Sequence, residues 1–188
     1  MKINFCGDSF CADLGDLSWV SLTANALNAK IIGTGVQGSC HEIAIESFDT
    51  SADVTVFTWT HHSRLYNKRR YPMNYNSTVR GTFDSVPDNL EWKAGAAFYK
   101  YLYEDSYFIK RQYRDLYWFD HEILSQYRKP TVHLWCFNIN YNFVNGVVLD
   151  VALRNKFTYA QNGFLNHISP HDNKNLSNLV LKLIQTQL

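Results

Sequence analysis

Apolar residues along this chain come in short blocks that alternate between strand-like runs and helix-like spacing. Residues 2–6 form an apolar run stopping at Gly7-Asp8-Ser9, and residues 17–27 carry apolar side chains at helical intervals. The chain therefore opens as strand, loop, helix. Residues 30–32 end in the glycine-rich stretch 33–38, after which Ser39 or Cys40 opens a second helical segment with His41 and Glu42 in its first turn. Val54–Trp59 is β-branched and aromatic, the pattern of a strand covered on both faces. Helix-period aromatics over 91–127 predict two helices or one bent helix. A fourth strand is predicted from Pro130 through Phe137, a short fifth within 143–149, and an amphipathic terminal helix over 175–187. Strands alternating with helices predict a three-layer α/β/α arrangement around a parallel sheet of about five strands.

At 188 residues with 46% hydrophobic positions, the chain suits a single domain, residues 1–188, whose core needs no disulfide or metal. Residues 60–90 stand out as a polar, Tyr- and Asn-rich excursion punctuated by Pro72, Gly81 and Pro87. The apolar runs 54–59 and 132–137 are too short to span a bilayer, so no membrane span is expected. A formal net charge of +1 argues against a broad surface for duplex nucleic acid. The start Met1-Lys2-Ile3-Asn4-Phe5-Cys6 lacks a signal-peptide pattern, and Cys6, Cys11, Cys40 and Cys136 are scattered without CxxC spacing. Both features fit reduced thiols in a cytoplasmic protein.

The sharpest chemical signal is Ser9 in Gly7-Asp8-Ser9-Phe10, because the carboxyl end of a parallel strand is where such sheets place active sites. The nucleophile elbow of α/β-hydrolases is not met, since Cys11 stands where that motif needs glycine. Taken alone, Ser9 reads equally well as a turn serine capping the next element. Further segments change that weighting. Gly7-Asp8-Ser9-Phe10 resembles the first block of the GDSL or SGNH hydrolases, with phenylalanine for the usual leucine. Gly33-Thr34-Gly35-Val36-Gln37-Gly38 resembles their second block, and Asn166-His167-Ile168-Ser169-Pro170 the block that carries the catalytic histidine.

The resemblance implies a flavodoxin-like α/β/α fold and a serine esterase or acylhydrolase. In it Ser9 attacks, His167 is the base, and the amides of Ser9 and Gly35 form the oxyanion hole. Two departures stand out. The family's block-three asparagine is replaced by Trp59-Thr60-His61-His62-Ser63-Arg64, which makes His62 the first choice and His61 the second for the remaining oxyanion donor. No carboxylate lies a few residues before His167; a backbone carbonyl, Asn166 or a distant acid is left to hold its ring. Asp8, Thr60, Arg64 and Arg69 are further candidates for substrate contact, with the tyrosines of the excursion suggesting a carbohydrate ester such as an O-acetyl group.

Three other readings compete. A catalytically weakened module that binds glycan or peptide keeps the fold and explains both departures. Gly33 to Gly38 also spells GxGxxG after a strand, the context of a dinucleotide site, but the acidic residue expected at the end of the next strand is absent. His61, His62, His167 and His171 contain no zinc-binding pattern, so neither metal nor cofactor is expected. Exposed aromatics in the excursion also suit a contact in a homo-oligomer.

Overall fold

The structure, a computed structural model, describes residues 1–66, 90–158 and 165–188. Five parallel strands, β1 (Lys2–Gly7), β2 (Lys30–Gly33), β3 (Val54–Trp59), β4 (Thr131–Trp135) and β5 (Val147–Val148), pair in the order β2-β1-β3-β4-β5. The chain moves outward from β1 to β2 and then returns to the other side of β1 for β3. That reversal opens a crevice beyond the carboxyl ends of β1 and β3, the place where open parallel sheets bind ligands. Register brings those ends level, with Gly7 opposite Thr58 and Trp59 opposite Trp135.

Side chains alternate faces along each strand, and both faces are covered. Ile3, Phe5, Val54, Val56, Val132 and Leu134 pack against Trp19, Val20 and Ala24 of α1 (Trp19–Ala26) and Leu176, Val180 and Ile184 of the terminal helix. On the opposite face Phe57, Trp59 and Trp135 meet Ala44 of α2 (His41–Glu46) and Leu116, Phe119 and Leu124. The result is the three-layer α/β/α, flavodoxin-like arrangement that alternation predicts.

The aromatic segment forms two helices, α3 (Leu90–Tyr101) and α4 (Asp105–Trp118), the second continuing through a π-turn at Phe119–Ile123. After β5 come the short α5 (Leu153–Lys156), a turn at Leu165–His167 and the terminal helix α6 (Pro170–Gln185). This last helix begins five residues before the predicted start. Ser169 accepts the Asp172 N–H as N-cap and Pro170 occupies the first turn, where its missing N–H costs nothing. Among the described residues no helix is long and apolar enough to cross a membrane.

His133 sits within this core at 0% exposure, stacked on Phe143 with centroids 3.7 Å apart and flanked by Phe57 and Trp59. The Trp59 indole N–H donates to its Nδ1 at 3.1 Å, so the proton lies on Nε2, which donates to the Asn145 carbonyl at 2.9 Å. Burial lowers its pKa from 6.5 to about 4. Between those values an unfolded histidine holds a proton that the folded one refuses, so stability falls as pH drops through the window. The full effect is about 3 kcal/mol. Urea midpoints measured from pH 7 to 4 are expected to decline less steeply in His133→Gln than in the wild type; parallel slopes would assign the loss to other groups.

Candidate active site

Ser9 lies in a single 3-10 turn, Ser9–Cys11, immediately after β1. Asp8 caps this turn, its Oδ1 accepting the Phe10 N–H at 3.0 Å. Each carbonyl from Gly7 to Ala12 is taken. Gly7 accepts from the Val36 amide and the Ser39 hydroxyl, and Asp8 from the Cys11 amide. Phe10 accepts from the Trp19 indole and Cys11 from the Gly35 amide, while Ser9 and Ala12 share the side-chain amide of Asn166 at 3.1 and 2.7 Å. A backbone so fully bonded holds the serine without reorganisation. The Ser9 amide donates to no acceptor among the described residues.

His167 arrives from the far end of the chain, and its Nε2 stands 2.7 Å from Ser9 Oγ. Its backbone is left-handed (φ 62°), as is that of Asn166 (φ 54°). Two consecutive residues of this kind are uncommon outside glycine, and the conformation persists only where surroundings hold it. Asn166 grips the serine turn. Buried Asn173 donates to the Ile168 carbonyl at 2.9 Å and accepts the Trp19 N–H at 2.8 Å, tying the histidine turn to α1. Asn166 therefore braces the backbone around Ser9, a role the sequence reading did not assign to it.

The oxyanion expectations need two corrections. The Gly35 amide is already committed to the Cys11 carbonyl at 3.0 Å and is not presented to a ligand. Glycine is needed there for packing: a Cβ would come within 2.1 Å of the Asp8 carbonyl oxygen. His62, the first choice, is buried with Nε2 2.8 Å from Asp105 Oδ1 and Nδ1 3.5 Å from the Asn140 amide nitrogen. Both its nitrogens thus have protein partners. His61 fits better. Its Nδ1 accepts the Ser63 N–H at 3.2 Å, which puts the ring proton on Nε2. Burial, reinforced by neighbouring His62, lowers its pKa to about 4, so the ring is neutral at pH 7. It packs edge-on to Phe137, whose ring in turn meets Phe10, and Phe10 lies 5.0 Å from the His167 ring.

Asp8 and Arg64 do not face a substrate either. Asp8 is completely buried and its Oδ2 pairs with Arg64 Nη1 at 3.0 Å, while the same nitrogen donates to the Ser39 carbonyl. Thr60 is buried and its carbonyl accepts from Gln112. Arg69 and the rest of 67–89 lie outside the described residues.

Comparisons with protein-family models, with curated proteins and with solved structures find no match for this chain. What the site can do follows from its geometry.

That geometry also bears on the competing sites. The GxGxxG segment follows the edge strand β2, and its Gly35 and Val36 amides are spent on the Cys11 and Gly7 carbonyls, with α2 beginning only at His41. A pyrophosphate cradle needs those amides free, at the start of a helix. Among the described residues His41, Glu42 and Asp115 could gather round a cation, but Arg111 pairs with Glu42 and Arg114 with Asp115. Guanidinium groups already supply the positive charge there.

Proposed function

We propose that this chain is a serine ester hydrolase in which Ser9 is the nucleophile and His167 the general base. The observation that carries the reading is the 2.7 Å approach of Ser9 Oγ to His167 Nε2, made by residues 158 positions apart at the carboxyl edge of the sheet. In the first step the hydroxyl proton passes to Nε2 as Oγ attacks the ester carbonyl. The Ser9 N–H and the His61 Nε2–H stabilise the tetrahedral oxyanion, and His167 returns its proton to the leaving alcohol. Water then repeats the cycle on the acyl-serine, with His167 again acting as base.

A fluorophosphonate is expected to label Ser9, located by mass spectrometry, and labelling is expected to disappear in Ser9→Ala. Absence of label together with absence of p-nitrophenyl acetate turnover would leave the fold as a glycan- or peptide-binding module. For the oxyanion donor, His61→Ala is expected to lower kcat about 100-fold with KM little changed, as for loss of one preorganised donor. His62→Ala should act mainly on stability, and a larger kcat loss there than in His61→Ala would reverse the assignment.

A further inference from the structure

Between α4 and the loop after β4 lies an open groove of about 390 Å³ whose lining includes Tyr113, Tyr117, His121, Asn140, Tyr141 and Asn142. Its size is that of a small-ligand site. Tyr113 and Tyr117, each 51% exposed, stand one turn apart on α4 and so share a side of the helix. Tyr117 lies 4.3 Å from the His121 ring, and Tyr113 meets Tyr141 edge to face at 5.2 Å. The opposite wall is built firmly. Fully buried Asp120 accepts the Tyr141 hydroxyl at 3.0 Å and the backbone N–H groups of Val144 and Asn145 at 2.7 and 3.1 Å.

The lining combines half-exposed aromatic rings with two side-chain amides, and among the described residues it contains no Lys, Arg, Asp or Glu. A pyranose matches this combination, since its C–H face stacks on a tyrosine ring while its hydroxyls meet the exposed Asn142 amide and the Asn140 carbonyl oxygen, the Asn140 N–H groups being spent on Gln112 and His62. A nucleic-acid strand or an acidic glycan would bring anions to a wall with no cation to meet them. A chain of side-chain contacts links the groove to the loop that carries His61. Asn140 donates to Gln112 Oε1 at 2.9 Å and reaches His62, whose ring lies 4.0 Å from that of His61.

We propose that this groove is a binding site for a neutral oligosaccharide, with sugar rings stacked on Tyr113 and Tyr117. The inference rests on the hydrolase reading for the ester that would be cleaved, but not for binding itself. The test is titration of the full chain with cellohexaose, xylohexaose, mannohexaose and chitohexaose, followed by intrinsic fluorescence and calorimetry. Saturable binding of at least one is expected, weakened about tenfold or more in Tyr117→Ala and in Tyr113→Ala but retained in Tyr117→Phe. Turnover of p-nitrophenyl acetate by the three variants is expected to stay within about twofold of wild type, which shows them folded. The proposal is overturned if no hexasaccharide saturates by about 10 mM, if both alanine variants bind as wild type, or if oligo-dT displaces the sugar. Saccharide binding by a wild type that does not cleave p-nitrophenyl acetate would support the groove and remove the hydrolase; turnover without saccharide binding would do the reverse.

Discussion

Ser9→Ala and His167→Ala are each expected to reduce kcat/KM for p-nitrophenyl acetate by about 10⁴-fold, and the double variant no further. The last clause is the discriminating one. When a hydroxyl and an imidazole act in the same proton transfer, removing either disables the step, so the losses do not add. Two residues contributing separately to binding would multiply. A loss of this size corresponds to about 5 kcal/mol of transition-state stabilisation. Deleting a capping serine costs only about 1 kcal/mol of stability and leaves rate unaffected. Stopped assays on the three variants at pH 8, with urea melts alongside, separate the two readings by several kilocalories. Rates within tenfold of wild type for either single variant would end the catalytic assignment.

The pairing of Ser9 with His167 came from the resemblance of residues 7–10 and 166–170 to two family blocks, and each of those segments lies beside an element with a strong local signature. Ser9 follows the apolar run of β1 directly, and His167 precedes the Ser169-Pro170 start of α6. The faces of the sheet were also legible, since period-two alternation along Val54–Trp59 separates Val54 and Val56 from Phe57 and Trp59 without tertiary information. Other features depend on contacts that spacing does not encode. His61 and His62 are adjacent on one loop, and their identities alone cannot say which turns toward Asp105. Gly35 has the residue type required by an oxyanion hole, a phosphate loop or a close backbone approach, and only the position of the Asp8 carbonyl selects the third. Asp8 and Arg64 were both expected to contact substrate; Asp8 instead caps the Ser9–Cys11 turn and pairs with Arg64, 56 residues later, a contact that spacing does not encode.

That partnership sets the second large expectation, a loss of about 3–5 kcal/mol in Arg64→Ala. Asp8 is wholly buried, and the Arg64 guanidinium is the cation that meets it, so truncating the arginine strands a carboxylate in the core. Arg64 also reaches the Ser39 carbonyl, and Ser39 in turn donates to Gly7, so one guanidinium ties the loops following β1, β2 and β3. Asp8→Asn/Arg64→Met removes both charges while keeping an oxygen to cap the Phe10 N–H. Its destabilisation is expected to fall short of the sum of the two single changes by about 2 kcal/mol. Urea denaturation of the four proteins of this cycle measures that coupling. An arginine that gripped an anionic substrate would behave differently: its loss would raise KM and move stability by no more than about 0.5 kcal/mol. For Arg64 the reverse is expected, because its charge is already matched inside the protein. Variants that still fold should lose kcat as the turn bearing Ser9 loosens, with KM nearly unchanged.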